Sequence, residues 1–315
     1  MRAYASEKFG TVNDLRIMDL PKPVPTAGEL LVEVRAAAVN PADLKVLEHR
    51  DGGSFLHASR FPLILGYDFS GVVTEAPGGT HAVGDEVYGF LPYARSTRTG
   101  TYAEYVAVAV GTAGPKPKAI SHEAAAAAAT SATTALQGLR KGRLAAGKSV
   151  LINGASGGVG SYAVQIAKCL GAHVTATCSA AKQAFVMAQG ADKVLDYRAT
   201  PLAQLAGRFD VVFDVASTST YGTCARLLRP GGAYITLLPS ASLVLGMARA
   251  LVSSRRCAML VVKPVAADFA ELAAWFDDGK LKPQLDASYP LAELPVALER
   301  QRVGDIRGKL AISIR

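Results

Sequence analysis

The chain has 315 residues, of which 50% are hydrophobic and 19% charged, a balance that excludes a disordered polymer and leaves room for two domains with ordinary cores. Thirty-four Lys and Arg against 26 Asp and Glu give a formal net charge of +8. The cations are dispersed, in short pairs such as Arg255-Arg256 without interleaved aromatics, so the excess argues against a nucleic acid partner. Cys169, Cys178, Cys224 and Cys257 fit neither a CxxC metal pair nor a secreted disulfide framework and read as thiols of a reducing compartment. The first ten residues lack the order of a signal peptide, and the apolar run 243–252 is too short for a membrane span and contains Arg249. The cytoplasm is the expected address.

In chain order, the first 110 residues read as short strands, at 30–36, 71–75, 86–90 and 102–108, broken by glycine and proline. Proline clusters at 21–25 and 115–117 punctuate this β texture, because proline lacks the N–H that a central strand needs. At Ser121, a candidate N-cap, the texture turns helical through Glu123 and the six alanines 124–129. Beyond it, strands at 149–153, 173–178, 193–195, 210–215 and 233–238 are interleaved with helices at 160–170, 182–189 and 221–228. That order predicts an α/β chain centred on a doubly wound parallel sheet, and the unbroken apolar runs Val150-Leu151-Ile152 and Val211-Val212-Phe213 suit strands buried on both faces. The last thirty residues return to short strand-like pieces ending in Lys309-Leu310-Ala311-Ile312-Ser313-Ile314, expected to rejoin the first lobe.

Asn153-Gly154-Ala155-Ser156-Gly157-Gly158-Val159-Gly160 lies directly between a predicted strand and a predicted helix. Glycines three apart in that setting serve a tight turn, an approach of backbone N–H groups to a pyrophosphate, and close helix-strand packing. The helix start adds free N–H groups and partial positive charge, so this turn is the expected dinucleotide site. An acid ending the second strand would bind the ribose 2′-hydroxyl of NAD, and that acid is missing. Strand 173–178 runs instead into Ser179 and then Lys182, a hydroxyl and a cation that suit the 2′-phosphate of NADPH. The alternative is that Ser179 caps the next helix and Lys182 is a solvated side chain.

With these residues the chain resembles the medium-chain dehydrogenase/reductase superfamily, and within it the zinc-independent quinone oxidoreductase branch. The resemblance covers nearly the whole chain and rests on motifs in the family's order. They include Asn40-Pro41-Ala42-Asp43, Gly66-Tyr67-Asp68-Phe69-Ser70-Gly71, Gly84-Asp85-Glu86-Val87, Gly100-Thr101-Tyr102-Ala103-Glu104-Tyr105, the glycine-rich turn, Gly190-Ala191-Asp192 and Arg307-Gly308-Lys309. It implies a GroES-like, β-rich catalytic domain made of 1–120 plus 285–315, with a Rossmann NADPH-binding domain at 121–284 between them and the active site in the cleft. It further implies that Tyr197 joins Ser179 and Lys182 at the 2′-phosphate, that Thr130 approaches the nicotinamide, that Lys309 belongs to the cofactor-binding set, and that two copies form a homodimer.

Zinc-dependent members place a Cys where this chain has Asn40 and a His where it has Tyr67, so no metal is expected. Without a Lewis acid, the fitting acceptors are quinones and α,β-unsaturated carbonyls, which take hydride into a conjugated system whose developing oxyanion needs only a hydrogen-bond donor. Asn40, Asp43 and Tyr67 are the candidate catalytic residues. Asn40 reads equally as a turn residue before Pro41, Asp43 as a helix cap, and Tyr67 reads first as a core aromatic with its hydroxyl satisfied elsewhere. Loop 47–60 is expected beside the substrate pocket, either as a lid or as a plain surface loop. Competing functions are an enoyl-thioester reductase of polyketide-synthase type and a non-catalytic NADPH-binding sensor or scaffold.

Overall fold

The long strand that organises the first part of the chain owes its form to ten residues with alternating and then continuous burial, ending in Ala36, Ala37 and Ala38. It is the third strand of a computed structural model that describes residues 1–79 and 81–315. The chain runs β1 (Arg2–Ser6), β2 (Arg16–Asp19), β3 (Glu29–Ala38), α1 (Pro41–Leu47), β4 (Leu63–Ile64), β5 (Asp68–Glu75), β6 (Glu86–Phe90), β7 (Tyr105–Ala109), β8 (Ala113–Pro115) and α2 (His122–Lys141). It continues through β9 (Ser149–Asn153), α3 (Gly158–Cys169), β10 (His173–Cys178), α4 (Gln183–Ala188), β11 (Lys193–Asp196), β12 (Phe209–Asp214), α5 (Tyr221–Ala225) and β13 (Leu228–Thr236). The remainder is α6 (Ala241–Leu251), β14 (Arg256–Met259), α7 (Ala266–Asp277), β15 (Leu285–Pro290), α8 (Leu294–Val303) and β16 (Lys309–Ser313).

Two compact units share these elements, residues 1–130 with 263–315, and residues 131–262. In the first, a sheet of order β15-β16-β3-β5-β6-β8 carries β7 on β3, and a smaller sheet has the order β2-β1-β4. Strand β16 pairs antiparallel with β3 and parallel with β15, so the two ends of the chain meet in one β-rich, GroES-like lobe. The sequence puts the divisions at 120 and 285. Packing shifts them: Ala126 and Ala127 of α2 sit against Ala36 and Ala38 of β3, small side chains that let helix and sheet approach closely, and Phe269 of α7 packs on Tyr88 and Phe90 of β6.

The second unit is the doubly wound sheet, six parallel strands in the order β11-β10-β9-β12-β13-β14. Its order reverses between β9 and β12, the point beyond whose carboxyl ends such sheets bind ligands. The apolar triplets of β9 and β12 are fully buried, as expected for strands covered on both faces. Ser121 accepts the N–H of Ala124 on its hydroxyl and so caps α2.

Three elements depart from expectation. The helix expected over 221–228 stops at Ala225, and β13 begins at Leu228, because a bulge around Pro230-Gly231-Gly232 shifts its register against β12 and lets a proline sit in the strand. The strand expected from 102 begins at Tyr105, since the Tyr102 N–H turns to the Leu65 carbonyl. The strand-like tail contains a ten-residue helix, α8, whose marks are Pro295 at its start and Gly304, with φ of +78°, at its stop.

Phe269 is fully buried, so Phe269→Ala should lower the unfolding free energy by about 3–5 kcal/mol, read from urea denaturation; a loss below about 1 kcal/mol would mean that α7 does not depend on this packing.

Candidate functional site

The glycine-rich turn divides its labour among three glycines. Gly154 has φ of +89° and a Cβ there would lie 2.8 Å from that of Ala216, so the tight turn out of β9 tolerates no side chain. A Cβ on Gly160 would lie 2.1 Å from the Gly154 carbonyl oxygen, which lets α3 start hard against the end of β9. Gly157 is extended, with φ −85° and ψ 179°, and a Cβ there would meet nothing within 4 Å. The space beside it is open, and Gly158 and Val159 follow in the first turn of α3, where N–H groups have no intrahelical acceptor. The turn therefore fits a pyrophosphate. Gly154 and Ala155 shape it without offering donors, because their N–H groups are held by the Thr177 hydroxyl at 3.3 Å and carbonyl at 2.9 Å.

A buried polar cluster fixes the strand ends beneath. Thr177 donates to Asn153 Oδ1 at 2.6 Å, Asn153 Nδ2 donates to Asp214 Oδ1 at 2.8 Å, and the Tyr234 hydroxyl and Ser219 N–H each reach Asp214 Oδ2 at 2.9 Å. The carboxyl ends of β9, β10, β12 and β13 are thus tied around one fully buried carboxylate. Beside them, Cys178 of β10 stands in register with Asp196 of β11, so Ser179 and Tyr197 emerge as neighbours. Ser179 takes the N-cap position of the turn 180–182, yet its hydroxyl makes no capping bond. Half-buried Lys182 follows, and the guanidinium of Arg198 lies 5.5 Å from the centroid of the exposed Tyr197 ring. Arg198, a cation next to Tyr197, completes a polar corner that the sequence reading left without it.

In the β-rich unit, residues from both ends of the chain meet at Asp68. This fully buried carboxylate accepts Asn40 Nδ2 at 2.9 Å, the Thr130 N–H at 3.0 Å, the Thr130 hydroxyl, and Lys309 Nζ at 3.3 Å. Lys309 also donates to the Val39 carbonyl at 2.5 Å and to Asn40 Oδ1 at 2.7 Å. All three ammonium protons have protein acceptors and the residue is 5% exposed, so Lys309, expected in the cofactor-binding set, holds Asp68 and Asn40 in this structure. Asn40 is engaged in the same way, its second amide contact going to the Ala38 carbonyl at 3.4 Å. Tyr67 is fully buried, and its hydroxyl donates to the Leu56 carbonyl of loop 47–60 at 3.0 Å. The core-aromatic reading of Tyr67 and the turn reading of Asn40 describe what these side chains do, and neither leaves a donor for a substrate oxygen. Loop 47–60 is pinned at this end by that bond and by His57, which sits between the Ala58 and Thr99 carbonyls.

Asp43 accepts the Asn40 N–H at 2.7 Å, the Gly66 N–H at 3.2 Å and the Tyr102 hydroxyl at 2.7 Å, a helix cap turned into a junction of three segments. Sequence reasoning did not single out Asp68 or Tyr93. An acid between Tyr67 and Phe69 in an apolar strand was the signal for the first, since a buried charge requires partners. The second had none, because its interest lies in what it faces: the partly buried Tyr93 stacks on Tyr67 with ring centroids 4.2 Å apart, and its hydroxyl makes a long 3.5 Å bond to Thr130 Oγ1. Burial and then the nearby Asp68 charge raise its pKa well above the ordinary phenol value, so it stays a protonated donor.

A zinc ion does not fit this donor set. Asn40 and Tyr67 are spent on protein partners, and among the described residues no group of three or more His, Cys, Asp or Glu side chains is placed to share a metal.

Comparison with known proteins places this geometry. Residues 26–118 match the alcohol dehydrogenase GroES-like domain, and residues 189–312 match a domain described as zinc-binding dehydrogenase. The mitochondrial NAD(P)H oxidoreductase of Bos taurus is 31% identical over all of this chain and 89% of its own length. The 2-methylene-furan-3-one reductase of Solanum lycopersicum is 30% identical over 99% of this chain and 79% of its own. Among solved structures, the quinone oxidoreductase from Coxiella burnetii superposes with a TM-score of 0.90 at 29% identity, covering 100% of this chain and 99% of that one.

Burial pushes the Asp43 carboxyl up to about 7 against the hydrogen bonds that favour its charge. The folded chain then keeps a proton that the unfolded chain loses near pH 4, so this group's contribution to stability is full below about pH 4 and is lost as pH rises through about 7. Urea unfolding should give a larger free energy at pH 5 than at pH 8, and Asp43→Asn should flatten the difference; an unchanged profile in the variant would remove Asp43 as its cause.

Proposed function

Because the chain belongs to the medium-chain dehydrogenase/reductase superfamily, we propose that it is a zinc-independent oxidoreductase that passes hydride from NADPH to a quinone or an α,β-unsaturated carbonyl. The observation that carries the cofactor choice is the end of β10. Its last residue is Cys178 where an NAD site has an acid, the next is a hydroxyl free of capping duty, and Lys182, Tyr197 and Arg198 lie in the segments that follow β10 and β11. The acid next to them, Asp196, accepts the Arg198 N–H at 3.0 Å and belongs to the neighbouring strand.

Bound NADPH supplies the hydride. The chain supplies position and charge: Gly158 and Val159 present N–H groups to phosphate oxygens, while Thr177, Asn153 and Asp214 hold the turn so that these donors need no rearrangement. At the acceptor end, Asp68 fixes Thr130, and Tyr93, neutral and only weakly held by Thr130, is the group we assign to donate a hydrogen bond to the oxygen on which charge develops. Tyr93 keeps its proton in that role, and the proton that completes reduction comes from water. A relative named for a furanone and a fold neighbour named for a quinone support conjugated carbonyls as the acceptor class. A homodimer is also part of this reading, supported by β14, an outermost strand with one edge open for pairing.

The double variant Ser179→Asp with Lys182→Ala should raise the KM for NADPH by at least about tenfold and leave that for NADH within about threefold, measured with a quinone acceptor. An equal effect on both cofactors would refute the assignment of the 2′-phosphate corner. Saturable NADPH binding without turnover on any quinone, enone or enoyl thioester would instead make the chain a binding protein.

A further inference from the structure

Two loops of the β-rich unit are fastened to each other beside Tyr93. The Ala58 N–H donates to the Thr97 carbonyl at 2.8 Å and the His57 ring lies 3.2 Å from the Thr99 carbonyl, so loop 47–60 runs along the loop that joins β6 to β7. The second loop is folded on itself, since the Thr97 hydroxyl and N–H reach the Pro92 and Ala94 carbonyls at 2.5 Å and 3.0 Å. Tyr93 belongs to that turn, and its stacking partner Tyr67 bonds the Leu56 carbonyl of the first loop. The two loops therefore frame the hydroxyl assigned above to the acceptor oxygen.

The charge on this frame has one sign. Residues 52–67 and 87–103 contain no Asp, Glu or Lys and carry Arg60, Arg95 and Arg98, all three exposed. Among the described residues no carboxylate pairs with any of them, whereas Arg2, Arg35, Arg50, Arg300, Arg302 and Arg315 of the same unit each hold one. The acids that do reach these segments, Asp43 and Asp68, are fully buried and hydrogen-bonded to Tyr102 and Thr130. Guanidiniums on loops tied together at 58 and 97 repel one another, and an oxyanion shared between them removes that cost through forked, charge-assisted hydrogen bonds. The same segments expose Phe55 and Phe61. Apolar rings beside unpaired guanidiniums suit a molecule with a flat apolar body and an anionic arm. The phosphates of the dinucleotide do not call for these cations, because Gly158, Val159, Ser179 and Lys182 of the other unit are assigned to them.

We propose that the acceptor carries an anionic group, a carboxylate or a phosphate, away from its reacting carbonyl, and that Arg60, Arg95 and Arg98 hold this group while the carbonyl lies at Tyr93. This narrows the acceptor class named above and rests on that class for the reacting end, so its test reads binding apart from turnover. Calorimetry on the full chain compares 4-(3-oxobutyl)benzoate, 4-(3-oxobutyl)phenyl phosphate and the methyl ester of the first, saturated ketones of the kind that enone reduction would release. At least one of the two anions should bind at least about tenfold more tightly than the ester, by a margin that shrinks as salt is raised, and the tighter anion names the group. Arg95→Gln with Arg98→Gln should cut that margin to roughly twofold, and adding Arg60→Gln should erase it, at an unchanged melting temperature because the side chains are exposed and unpaired. Equal binding of the anions and the ester, or a margin that survives the triple variant, would overturn the proposal. So would a rise of about tenfold in the Kd for NADPH in that variant, which would give the guanidiniums to the cofactor. NADPH oxidation with the parent enones is followed separately: turnover without an anion preference in binding sinks this proposal alone, and an anion preference without turnover of any of the enones sinks the hydride-transfer reading while the arginine site stands.

Discussion

Backbone contact at one turn decides what the nucleotide-binding unit can do. Helix α3 begins so close to β9 that position 160 has no room for a Cβ, and the turn between them takes a left-handed conformation at position 154. These two constraints aim the first turn of α3 at the open space beside Gly157, where a Cβ would meet no atom within 4 Å. The rigidity behind that aim comes from Asp214, whose two oxygens collect donors from three other segments and so fix the carboxyl ends of four strands. A buried carboxylate is costly unless its lone pairs are used, and here its partners hold the strand ends and the turn above them in one geometry.

The β-rich unit solves a similar problem around Asp68. Its partners come from residue 40, residue 130 and residue 309, so the charge that must be satisfied also knits the last strand to the first lobe. The ion pair with Lys309 contributes placement more than net stability, since desolvating both charges offsets much of their attraction. What it places is Thr130, and through Thr130 the ring of Tyr93. Residues whose hydrogen-bonding groups are already used, Asn40 and Tyr67 as donors and Asp43 as an acceptor, position those that remain.

Much of this was legible in the sequence where local rules and the final fold agree. The strands at 86–90, 149–153 and 173–178 have the expected bounds because apolar runs end at glycine or polar turns. The glycines of the turn carry their roles in their spacing. Helix α8 was obscured because its sequence has no clear apolar stripe, with Pro295 and Gly304 as the only marks. The functions of Lys309 and Tyr93 were hidden for another reason. A lysine in a closing strand and a tyrosine in a loop acquire meaning only when Asn40 and Thr130, distant in the chain, are brought within hydrogen-bond reach. The short α5 reflects a third cause, a bulge at Pro230 that moves the start of β13 forward.

The claim on which the rest stands is that the open space at Gly157 receives the phosphates of a reduced nicotinamide dinucleotide. Gly157→Val tests it directly, because the extended backbone there accepts a branched side chain and nothing in the fold obstructs it. Titration of NADPH fluorescence should show at least about a tenfold rise in Kd for the variant at an unchanged melting temperature. An unchanged Kd in a folded variant would place the dinucleotide elsewhere and contradict the account.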